Sequence, residues 1–145
     1  MTKKPAPRAL TKRERRHLSG YLRDLADELN LRDWVIVLLH DPVPMSDPAL
    51  ASARITYGRH SVSIDFDVGV VRGDPQLLRE ICIHELLHVH IPARVPLYGV
   101  DELIGRPAAL VYAETLNERY ERATDAIANA IAPKFPLPPS ELQRH

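Results

Sequence analysis

Two histidines four residues apart, with a glutamate directly after the first, stand at His84-Glu85-Leu86-Leu87-His88. On an α-helix this spacing stacks both imidazoles one turn apart on one face, where they can share a single ion. Glu85 lies one step round the cylinder, close to that ion without pointing at it, as a base acting on activated water must. The flanks, Ile81-Cys82-Ile83 and Val89, are apolar, so the spacing predicts a buried helix with polar residues only at the ligand positions. Burying two imidazoles and a carboxylate is costly, and a bound zinc ion would offset that cost.

Two imidazoles do not complete a hydrolytic zinc site, which takes three protein ligands and keeps one position open. The residues leave several third ligands in play: Glu114, Glu118, Glu121, Asp125, Asp101, His90, His40 and His60. Four of them, Glu114, Glu118, Glu121 and Asp125, recur at spacings of four, three and four, so they share one face of a later helix. Such a stripe is ordinarily solvated, and Arg122 one turn after Glu118 is a natural partner for it. Small and apolar residues surround Glu121 and Asp125, which sets that end apart.

Around this centre the chain reads as an α+β domain. Residues 1–10, with Pro5 and Pro7 among basic residues, form an expected flexible basic arm, residues 11–132 the folded domain, and residues 133–145 a proline-rich tail. Thr11 with Glu14 is a capping box, opening a helix to about residue 30 along Leu18, Leu22, Leu25 and Leu29. Trp34 to Leu39 reads as a buried strand; residues 53–57 and 61–67 read as a hairpin across Gly58-Arg59-His60. The sheet should be mixed, with three to four strands. In the second hairpin strand Val62, Ile64 and Phe66 alternate with polar residues, which predicts a half-wet strand at a sheet edge, open to an extended peptide. Asp74-Pro75 opens the motif helix, expected over 75–90, and Pro107 opens the acidic helix, expected to about residue 131.

His84-Glu85-Leu86-Leu87-His88 followed by Glu121-Arg-Ala-Thr-Asp125 resembles the gluzincin branch of zinc metallopeptidases. The run from Glu121 through an alanine-rich stretch to Pro133 is most similar to the ImmA/IrrE peptidases. The resemblance spans residues 34–133 and implies a small zincin-like (minigluzincin) domain with an active-site helix and a C-terminal glutamate helix. It implies His84, His88 and Glu121 as ligands of one zinc ion, Glu85 as general base, and Asp125 as the partner that orients His84. The activity implied is hydrolysis of peptide bonds in a peptide or protein substrate. A donor for the oxyanion is needed too, and Tyr98, Tyr112 and His90 are the candidates. The helix-turn-helix often associated with that group is absent from the sequence. So is the third histidine motif of the otherwise similar SprT-like peptidases.

Composition narrows the rest. In 145 residues, 45% hydrophobic and 26% charged, nineteen basic and nineteen acidic groups cancel, so the molecule as a whole carries no bias toward nucleic acid or an anionic membrane. Nucleic acid contact is confined to what the basic N-terminal arm could supply. Cys82 is the sole cysteine, which excludes an internal disulfide and fits a reducing, cytoplasmic setting; no secretory signal or membrane span is expected. The alternative to a peptidase is a catalytically silent zincin-fold module that binds protein or nucleic acid, although such a module has no use for Glu85.

Overall fold

The computed structural model describes residues 9–39, 50–97 and 99–143. Helix α1 (Lys12–Glu28) begins with the expected box: the Thr11 hydroxyl accepts from the Glu14 N–H at 3.2 Å, and Glu14 Oε2 accepts from the Thr11 N–H at 2.7 Å. Its inward face, Leu18, Tyr21, Leu22, Leu25 and Ala26, is buried in the core. Glu14 does more than cap. Its carboxylate also takes both arms of Arg72, at 2.7 and 3.0 Å, tying the start of α1 to the segment ahead of the motif helix.

Three strands form one mixed sheet: β1 (Val35–Leu38), β2 (Ala51–Thr56) and β3 (Ser61–Phe66), in the order β1-β3-β2. The hairpin β2–β3 is antiparallel, turning through a 3-10 segment at Tyr57–Arg59 and a left-handed His60, while β1 runs parallel to β3. The expectation of β3 as an edge is therefore corrected: it is the central strand. Its alternation is real, with Val62, Ile64 and Phe66 buried, but Asp65 is buried as well. Face alternation reports which side meets the core; it says nothing of whether both lateral edges are paired. Among the described residues the edge nearest the motif helix is β2.

A four-residue helix, α2 (Val68–Val71), leads into α3 (Pro75–Leu87), where the Asp74 carboxylate accepts from the Gln76 N–H at 3.0 Å and Pro75 fills the first turn. The helix ends at Leu87, three residues short of the expected limit, and His88 is its C-cap. His88 keeps near-helical angles (φ −61°, ψ −16°), so it still stands above His84. A short α4 (Val100–Ile104) precedes the long α5 (Arg106–Ile131), whose buried side is Ala109, Ala113, Thr124 and Ala128. Ala128 joins the core cluster that also holds the buried face of α3, and α5 packs against both α3 and α4.

The proline-rich C-terminus does not trail away. Tyr21 donates to the Pro136 carbonyl at 2.8 Å, Arg79 to the Phe135 carbonyl at 3.0 Å, and Leu142 is fully buried against α1. Residues 133–143 thus belong to the packed unit. No helix among the described residues is long and apolar enough to cross a membrane.

Candidate metal centre

His84 and His88 come from the last turn and cap of α3, where the helix dipole is negative and favours a cation. Their Nε2 atoms face one another at 3.0 Å, the rings nearly perpendicular at 86°. Glu121, from α5, closes the triangle, with Oε2 at 3.4 Å from His84 Nε2 and Oε1 at 3.4 Å from His88 Nε2. Three ligands on a tetrahedral zinc ion, each about 2.0–2.1 Å from it, stand about 3.3 Å apart. The observed separations match that edge.

The far side of each ring decides what these nitrogens can do. His84 Nδ1 is 2.9 Å from Asp125 Oδ1, and His88 Nδ1 is 3.2 Å from the Ile91 carbonyl oxygen. Both partners can only accept, so both Nδ1 atoms carry the hydrogen and both Nε2 atoms present lone pairs. Two lone pairs and a carboxylate then converge on one point. Without a cation they repel; with one they form a ligand set of two imidazoles and a carboxylate. The donor chemistry fits a divalent metal, and the backbone turn that follows His88 supplies one of the two orienting acceptors.

Glu85 is 6% exposed and lies beside this triangle, against β2, where it accepts a hydrogen bond from the Ala53 N–H. Burial raises its pKa to about 7, the Glu121 charge adds to the rise, and the Ala53 N–H opposes it. Burial also lowers the His88 pKa below the ordinary imidazole value, with the Ile91 carbonyl and Glu121 pulling the other way. A cleft of about 640 Å³ opens over the group. It is lined by β2 from Ala51 to Ile55, by Tyr57 and by Pro92–Arg94, together with His84, Glu85, His88 and Glu121.

The structure brings together His84, Glu85, His88, Glu121 and Asp125. The other candidates lie elsewhere. His90 Nε2 is 2.9 Å from the Leu29 carbonyl, at the end of α1, and is not among the residues that line the cleft. Tyr112 precedes Glu121 by nine positions, which puts it on the opposite side of α5, exposed. Tyr98 and His40 fall outside the described residues. Glu118 pairs with Arg122, Glu114 is exposed, Asp101 lies in the first turn of α4, and His60 pairs with Asp33 at 3.0 Å. Three cleft residues carry no sequence signal of their own: Tyr57, whose hydroxyl is 3.5 Å from the His88 carbonyl, and the arginines Arg54 and Arg94. No protein-family model, curated protein or solved structure matches the chain.

Proposed function

We propose that this chain is a zinc-dependent peptidase, hydrolysing peptide bonds with Glu85 as general base. The observation that carries this reading is the triangle of His84, His88 and Glu121, with both Nδ1 atoms already committed to acceptors. Two neutral imidazoles and one carboxylate make a hydrolytic rather than a structural ligand set, because a fourth position stays open. The order of motif helix and glutamate helix, and the Glu121-x-x-x-Asp125 spacing, support the gluzincin type in a minimal form similar to the ImmA/IrrE peptidases.

A zinc ion held by these residues supplies Lewis acidity, making water nucleophilic near neutral pH and polarising the scissile carbonyl. Glu85 handles the proton. Its carboxylate takes one from the water as the oxygen bonds to the carbonyl carbon, and returns it to the amine nitrogen as the C–N bond breaks. Asp125 and the Ile91 carbonyl hold the rings in the tautomer that leaves Nε2 free. The substrate backbone has a place to run. The register and the Asp67 N–H to Leu50 carbonyl bond (2.9 Å) turn Ser52, Arg54 and Thr56 toward β3. Ala51 and Ile55, with the Ala53 carbonyl, therefore turn backbone groups to the cleft, where an extended peptide can pair with them, while the Ala53 N–H stays with Glu85. Among the described residues, the Tyr57 hydroxyl, 3.5 Å from the His88 carbonyl, is the phenol that lines the cleft and could meet a developing oxyanion.

The test combines metal analysis with cleavage. Purified protein should carry about one zinc per chain, lost in His84→Ala, and should cut casein or members of a peptide library. Glu85→Gln should keep its zinc and lose cleavage by at least about a hundredfold, the range of a general base. Zinc bound without any cleavage across a broad library would leave a binding module in place of an enzyme.

A further inference from the structure

All three carboxylates at the centre have partners: Glu121 meets both imidazoles, Asp125 meets His84, and Glu85 accepts from Ala53. The two guanidinium groups on the cleft, Arg54 and Arg94, have none; among the described residues no acidic side chain pairs with either. Both are exposed and line the cleft, one from β2 and the other from the segment after the motif helix. Arg54 follows Ala53, the residue whose N–H holds Glu85, so it lies one residue along β2 from the reacting centre. Arg94 precedes Val95, whose N–H donates to Asn117 Oδ1 at 2.7 Å, a contact that pins that wall to α5.

We infer that Arg54 and Arg94 form an anion-selecting pair, and that the cleft takes extended peptides with aspartate or glutamate beside the bond placed at His84, His88 and Glu121. This deepens the peptidase reading and rests on it. Side chains of paired strands that stand opposite each other project to the same face, so a peptide running along β2 sets one side chain across from Arg54. A carboxylate there can take the planar guanidinium in a two-pronged bond, geometry a lysine could not offer. Arg94, from the segment after the motif helix, addresses a second acidic group in the same cleft. A peptide is favoured over nucleic acid because the strand between these groups offers backbone donors and acceptors, which pair with a polypeptide.

The experiment measures binding separately from cleavage. Full-length Glu85→Gln protein, with and without added zinc, is titrated into two labelled dodecapeptides of one sequence, glutamate-flanked or glutamine-flanked, and followed by fluorescence anisotropy. The glutamate peptide should bind roughly tenfold more tightly, as expected for a pair of charge-assisted contacts partly screened by solvent. Arg54→Gln and Arg94→Gln should each shrink that preference, and the double variant should abolish it. The double reversal to glutamate should transfer the preference to a lysine-flanked peptide, which mere damage to the fold could not do. Equal affinities, no binding of either peptide, or a preference that survives the double variant would overturn the inference. Displacement of the glutamate peptide by a single-stranded oligonucleotide at equal concentration would overturn it in favour of nucleic acid. An unmutated protein that binds the glutamate peptide selectively yet never cuts it would sink the peptidase reading alone.

Discussion

Glu85 is a carboxylate held where a carboxylate is uncomfortable. Its pKa of about 7 exceeds the ordinary 4.5, so the folded metal-free protein holds this proton more tightly than the unfolded chain does. Stability from this group is thus fully present below pH 4.5 and is lost as pH rises toward 7, by up to about 3 kcal/mol. Glu85→Gln removes the titration. In the presence of a chelator, the variant is expected to match the wild type at pH 5 and to exceed it at pH 8, by urea midpoint. Equal stabilities at both pH values would mean the carboxyl is better solvated than its burial implies. The same substitution should abolish hydrolysis, so gain in stability and loss of function would come from one atom exchange. Glu14 shows the opposite sign. The Arg72 guanidinium holds its carboxyl down at about 2, so this contribution exists above pH 4.5 and is lost as pH falls through 2. Arg72→Ala should therefore cost about 1.5–3 kcal/mol at pH 7, the loss of its charge-assisted hydrogen bonds to Glu14, and much less at pH 2.5; a cost independent of pH would show that the pair contributes only packing.

At the scale of elements, what could be read from the residues alone is what depends on short-range signals. The Thr11–Glu14 box, the Asp74-Pro75 start and the 3.6-residue spacing that brings Glu121 and Asp125 to one face of α5 are all local, and all appear in the fold. The central place of β3 was not legible, because it depends on a parallel partnership with β1 that neither strand encodes by itself. Nor were the groups that hold Glu85 and His88, the Ala53 N–H and the Ile91 carbonyl, since every residue has such atoms. The partner of His90 was not legible for a related reason: it is the Leu29 backbone, sixty-one residues away. The proline-rich end illustrates the limit of composition. Pro133, Pro136, Pro138 and Pro139 read as an extended tail, but Leu142 beyond them anchors in the core. Leu142→Ala should cost about 2–4 kcal/mol as a buried cavity, measured by urea unfolding, whereas a tail that merely shielded the cleft would change activity and leave stability alone. Truncation after residue 132 should accordingly destabilise the domain without activating it.

At the scale of the whole molecule, the centre joins two helices that the chain separates by the α4 region. His84 and His88 ride on α3, Glu121 and Asp125 on α5, and the site residues themselves tie the two helices at the cleft. In the metal-free state this junction assembles groups that repel, with two facing Nε2 lone pairs and a carboxylate. A cation converts the repulsion into cohesion, and it does so only in the folded chain, where the ligands from both helices meet. Linkage then fixes the size of the effect: at a hundredfold excess of zinc over its Kd the folded state gains about 2.7 kcal/mol, roughly 5–10 °C in Tm for a domain of this length. The gain must vanish in Glu121→Gln and His88→Ala alike, although the two lie on different helices. It must also fade toward acid pH, because the ligands bind a metal only in their deprotonated form. A calorimetric scan that shows the same Tm with zinc and with chelator, or a gain that survives loss of the α5 carboxylate, would mean the helices meet there for packing alone.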